Sequence, residues 1–186
     1  MEHFSATYEG KKHKIIVDVG FEEPDTSNSH RWGGLSYELK HIFIDVYIEN
    51  NEKLIPIKEV DQFRNATGPK EVFVRGWLNE SNNELQIENI QKGIINPGQH
   101  FLLKILKKLI ALNNNTNSIY LANVNHGSTL ELLKKAHESG QPLSQIESEA
   151  RKPLMFALDQ CGYTKHELVL EGTCLYGIRG FKSNLP

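Results

Sequence analysis

One change of period constrains this chain more than any other feature. An alternating run at 84–90 (ELQIENI) gives way to apolar residues spaced three and four apart, and then to a second β-branched run at 118–124 (SIYLANV). Side chains alternate across a strand but return to one face of a helix every 3.6 residues, so the order reads strand, helix, strand. A helical crossover joins parallel strands, so the fold must contain a parallel pair within one sheet. The helix is the clearest element: Leu102, Ile105, Leu106, Leu109 and Ile110 form one stripe over 98–112, with Lys104, Lys107 and Lys108 on other faces. Asn96-Pro97 suits its start and the asparagines of 113–117 its stop.

Strand patterns surround this unit. His13 to Phe21 places Ile15, Val17 and Val19 on one face, and His41 to Glu49 is β-branched and aromatic. Asn50-Asn51-Glu52 then turns the chain into Lys53 to Ile57, a hairpin arm that Pro56 assigns to an edge or an end. Glu71 to Leu78 pairs with the 84–90 run across a polar turn. Ser128 or Thr129 caps a short helix running to His137, and Ser144 starts a helical stretch that Gly162 ends after Cys161. His166 to Leu170 and Thr173 to Gly180 make a closing hairpin. The polar segment 22–34 reads as a loop, and no internal repeat is visible. The expected fold is α/β (α+β): a mixed central sheet flanked by helices, ending in a strand hairpin. With 186 residues, 39% of them hydrophobic, one domain is expected, with N-terminal strands and loops over 1–70 and a core over 71–181.

Charge and cysteine content narrow the function classes. Twenty-one basic against 23 acidic residues give a net charge of −2, which argues against a protein that coats nucleic acid. Cys161 and Cys174 cannot form a disulfide scaffold and suit a reducing compartment, so a cytoplasmic location is expected. The first residues lack a secretory pattern, and no run approaches the ~18 apolar residues of a membrane span.

Open α/β sheets bind ligands at the carboxyl ends of their strands, which here are 90–100 and 123–128. N–H groups at Gly98, Gln99 and His100 suit a phosphate or pyrophosphate; equally, Gly98 serves only to let the chain enter the helix. His100, His126 and His137 show no metal-ligand spacing, so no metal is expected. His126-Gly127-Ser128 lacks the Gly-x-Ser-x-Gly elbow of a serine hydrolase, and both cysteines sit where thiols are inert packing.

Taken together, the 84–90 strand, the loop and amphipathic helix after it, the 118–124 strand leading into Asn125, and Phe156-Ala-Leu-Asp-Gln-Cys-Gly-Tyr163 before two closing strands resemble the GNAT superfamily of acyl-CoA N-acyltransferases. The resemblance spans 71–181. It implies acetyl-CoA or another acyl-CoA as cosubstrate and an amine as acceptor, with the pantetheine arm pairing on the first strand. By the same resemblance Glu88 is the general base, Ile90 offers a backbone N–H to the thioester carbonyl, Gly98, Gln99 and His100 take the pyrophosphate, and Asn125 touches the pantetheine. Gly93 and Gly98 stand further apart than that family's phosphate-loop glycines, and Leu158 stands where the family commonly has a tyrosine acid. Those departures define the alternative, a non-catalytic binding, inhibitory or partner-recognition protein of the same fold.

Overall fold

Alternation of apolar and polar residues builds nearly all of this molecule, because each strand buries one face and leaves the other polar. The computed structural model describes residues 2–8, 10–23, 39–64, 72–91, 100–122, 138–140, 154–171 and 174–183. In chain order the strands are β1 (Glu2–Tyr8), β2 (Lys11–Glu22), β3 (Leu39–Asn50) and β4 (Lys53–Pro56), followed by a 3-10 turn (Ile57–Glu59) and a single helical turn α1 (Asp61–Arg64). Then come β5 (Phe73–Asn79), β6 (Glu84–Gln91), α2 (Phe101–Leu112), β7 (Ser118–Ala122), α3 (Leu154–Gln160), β8 (Lys165–Glu171) and β9 (Cys174–Phe181). They form a mixed α+β structure dominated by one nine-stranded sheet, in the order β1-β2-β3-β5-β6-β7-β9-β8, with β4 attached to β3.

The crossover expected from the period change is present. β6 and β7 are parallel, with Glu84 opposite Ser118 and Ile87 opposite Leu121, while every other described pair is antiparallel. The closing hairpin folds back so that β9, not β8, lies beside β7. Pro56 ends β4 on its short side branch, where its missing N–H disturbs no central ladder.

One face of the sheet carries Ile15, Val17, Leu85, Ile87, Ile119, Leu121 and Ile178, and these join the buried side of α2 and α3 in one core. Phe101 of α2 packs against Phe4 of β1 with ring centroids 5.2 Å apart. Burying such side chains stabilises the fold by roughly 1.5–3 kcal/mol each, more than any exposed polar contact supplies. α3 ends as Gly162 dictates: with φ at +84°, Gly162 N–H donates to Asp159 O and Tyr163 N–H to Leu158 O, which satisfies two of the helix's last carbonyls.

Three expectations are corrected or extended. α2 begins at Phe101, not Gly98, because His100 has ψ near 15° and acts as the non-helical N-cap. β7 ends at Ala122, before the Val124 that its β-branched composition suggested. β1 adds a strand to the edge of the sheet: Phe4 and Ala6 are buried, yet an alternation of small and polar residues (HFSATY) gives only a weak apolar signal. The loop expected over 22–34 and the helix expected over 128–137 lie almost wholly outside the described residues, as does the start of the stretch from Ser144.

Candidate functional site

The parallel pair does not stay together. Its ladder covers four pairs, from Glu84–Ser118 to Ile87–Leu121, after which β6 runs on to Gln91 while β7 stops one residue later at Ala122. A β-bulge in the neighbouring ladder explains the parting. Between Arg75 and Gly76 the β5–β6 register shifts, so that Gly76 faces Ile87 but Arg75 faces Asn89, leaving Glu88 as the extra residue. A bulge bends its strand and increases local twist, which turns the end of β6 away from β7. Gly76 makes this possible: a Cβ there would stand 2.3 Å from the carbonyl oxygen of Gln86. From Glu88 to Gln91 no described strand pairs with β6 on its β7 side.

Glu88, the expected general base, therefore sits at the bulge itself. Its Oε2 lies 2.9 Å from Arg75 Nε, and its side chain is 37% exposed, so the carboxylate is solvated and held by a guanidinium. The alternation that puts Leu85 and Ile87 in the core resumes at Ile90 once the extra residue is passed. Ile90 is buried beside Val74. Its side chain is core, so any contribution to a ligand comes through its peptide group. Gly98, Gln99 and Asn125 lie outside the described residues, with His126, Ser128, Lys134, Lys135 and His137.

His100 is exposed at the start of α2. Its side chain makes no capping bond, and its carbonyl accepts the Lys104 N–H at 3.1 Å. The imidazole stands 6.5 Å from the ring of Phe156, a residue of α3 that is 42% exposed. Helix N-termini leave their first N–H groups without partners inside the helix and carry a positive dipole end, so this corner favours an anion. Of the lysines on α2, Lys104 is committed elsewhere: its ammonium donates to His3 O at 2.9 Å and lies 4.4 Å from the centre of the Phe4 ring.

No family model, curated protein or solved structure matches this chain. What the site can do is therefore read from its own residues.

Leu158, at the position where the resemblance looked for a tyrosine acid, is fully buried on α3 against Gly180. Tyr163, the nearest tyrosine along the chain, is also buried. Its hydroxyl donates to Thr116 O at 2.8 Å, and burial pushes its pKa far above the ordinary phenol value. Burial likewise pushes the Cys161 thiol up to about 11, with nearby Lys107 opposing only in part, so Cys161 is a protonated packing residue at neutral pH. Among the described residues no His, Cys, Asp and Glu cluster could hold a metal ion, and no helix is long and apolar enough to cross a membrane.

Sequence reasoning passed over the polar network at the other end of the parallel pair. Glu84 is only 5% exposed, yet its carboxylate is fully engaged. Oε2 accepts from Ser118 Oγ at 2.9 Å and from Arg179 Nε at 2.7 Å, and Oε1 accepts from Gln86 Nε2 at 2.7 Å. Arg179 also donates to Glu167 at 2.6 Å and lies 5.3 Å from the centre of the Tyr120 ring. Burial pulls the Arg179 guanidinium down, but the two carboxylates outweigh it and hold its pKa above the ordinary value. The network thus ties β6, β7, β9 and β8 on the face away from the helices. A single charge inside an apolar strand (Arg179 between Ile178 and Gly180) was the sequence signal for it.

Proposed function

We propose that this chain is an acyl-CoA-dependent N-acyltransferase of the GNAT kind, acting on an amine acceptor. The observation that carries the reading is the splay of β6 from β7 after Ile87, opposite a bulge, at the carboxyl ends of the parallel pair and ahead of a helix N-terminus. A ligand that is itself a chain of amides suits such a gap, since its N–H and C=O groups take the place of the missing strand partner. The pantetheine arm of CoA has that chemistry, and the exposed start of α2 offers donors to its pyrophosphate.

In this reading the acceptor nitrogen attacks the thioester carbonyl, the N–C bond forms and the C–S bond breaks. Glu88 takes the amine proton, exchanging its Arg75 partner as it does so. The thiolate leaves without a tyrosine acid, because Leu158 occupies that position as a buried hydrocarbon, and it takes its proton from solvent. Calorimetry and thermal shift with acetyl-CoA and longer acyl-CoAs test the binding step. Binding is expected, and no response at millimolar ligand overturns the proposal. Given turnover, Glu88→Gln lowers the rate by roughly 10²-fold, the usual contribution of a positioned base.

A second reading has its own support in the residues. The salt-bridged Glu88 and the buried Leu158 fit a protein that keeps the gap for binding without catalysis. Acyl-CoA binding with no acyl transfer to any amine of a broad panel would establish it in place of the first.

A further inference from the structure

The sheet contains a second opening, on the opposite edge of β5. β3 uses one edge along its length for β2, from His41 to Ile48. Its other edge is shared: β5 pairs with Leu39 to His41, and β4 pairs with Tyr47 to Asn50. The β3–β5 register, continued, would set Ile44 against Val74 and Val46 against Val72. No such pair forms, so Ile42 to Val46 have no ladder partner on that side among the described residues. A cavity of about 330 Å³ lies at this interval, lined by residues 44–47 of β3, residues 56–59 and Val72. That is near the lower end of the ~300–1,000 Å³ typical of ligand sites.

Its wall is part backbone edge and part apolar, and its rim is acidic. Asp45 and Glu59 are exposed and have no ion-pair partner among the described residues, against the single cation Lys58. Asp45 also stands directly opposite Asp18 in the β2–β3 ladder. Like charges in that position repel, which a bound cation would relieve. An unpartnered strand edge recognises extended main chain, as in β-augmentation, while pockets beside it select side chains.

We propose that this interval binds a short extended peptide segment carrying a basic side chain, its main chain pairing with β3 between His41 and Tyr47 and its cation lying at Asp45 and Glu59. This site is separate from the β6–β7 gap and does not depend on acyl-CoA chemistry there.

Titration of the ¹⁵N-labelled full chain with a blocked valine-lysine-valine tripeptide tests it. The amide signals of Ile42 to Tyr47 are expected to shift with a saturable dependence. Replacing the peptide's lysine by glutamate, or methylating its backbone nitrogens, is expected to weaken binding by roughly tenfold or more. The double variant Asp45→Lys/Glu59→Lys should lose the lysine peptide to the same degree while keeping its melting temperature and spectrum, since both positions are exposed. Absence of shifts at millimolar peptide, equal binding of the lysine and glutamate peptides, undiminished binding by the methylated peptide or by the double variant, or shifts confined to another surface would each overturn the proposal.

Discussion

The two ends of the β6–β7 pair obey opposite rules. At the amino ends four strands are joined by one buried network: Glu84 bonds Ser118, Gln86 and Arg179, and Arg179 bonds Glu167. The loops beside it are equally fixed, with Tyr163 on Thr116 O, Asn117 N–H on Asn83 O at 2.8 Å, and Lys182 Nζ on Asn114 O at 3.0 Å. At the carboxyl ends the ladder stops, β6 bulges, and the one ion pair, Arg75–Glu88, is open to solvent. The difference teaches a division of labour: a site that must open between two strands needs the same strands locked where they begin. Buried polar groups are costly unless fully partnered, so the locked end tolerates little change, whereas solvated pairs contribute little and leave their residues free for chemistry.

This contrast can be broken at the locked end first. Glu84→Ala removes the acceptor of three hydrogen bonds and strands a partly buried guanidinium. It is expected to cost about 3 kcal/mol, measured by denaturant unfolding, or a fall in Tm of roughly 6–12 °C for a chain of this size. Tyr163→Phe keeps the ring in the core but leaves Thr116 O without its donor, for an expected loss of about 1–2 kcal/mol. Glu88→Gln at the open end should change stability by less than about 0.5 kcal/mol, because it touches only an exposed pair. Stability losses of equal size at Glu84 and Glu88 would show that the two ends do not differ as described.

Much of the fold was legible because strand and helix periods report which side chains share a face. The parallel pair followed from the strand-helix-strand order alone, and Gly162 marked the end of α3. β1 was harder to read: its buried residues are Phe4 and Ala6, separated by polar positions, and its burial comes from β2 and from Phe101 of α2. Of the candidate site, Glu88 and Ile90 were named from the strand, but their opposite fates were not visible. One extra residue at the bulge decides them, sending Ile90 into the core and Glu88 to Arg75.

By itself the sequence determined the local periods, the mixed sheet with one helical crossover, and a near-neutral charge. Tertiary structure alone decided where ladders end: that β6 leaves β7 after four pairs, that β3 leaves β5 after three, and that Glu84 meets an arginine 95 residues away. Periodicity is a property of neighbours along the chain. Strand separation depends on twist and close backbone approach between distant segments, and no stretch of one strand carries that information.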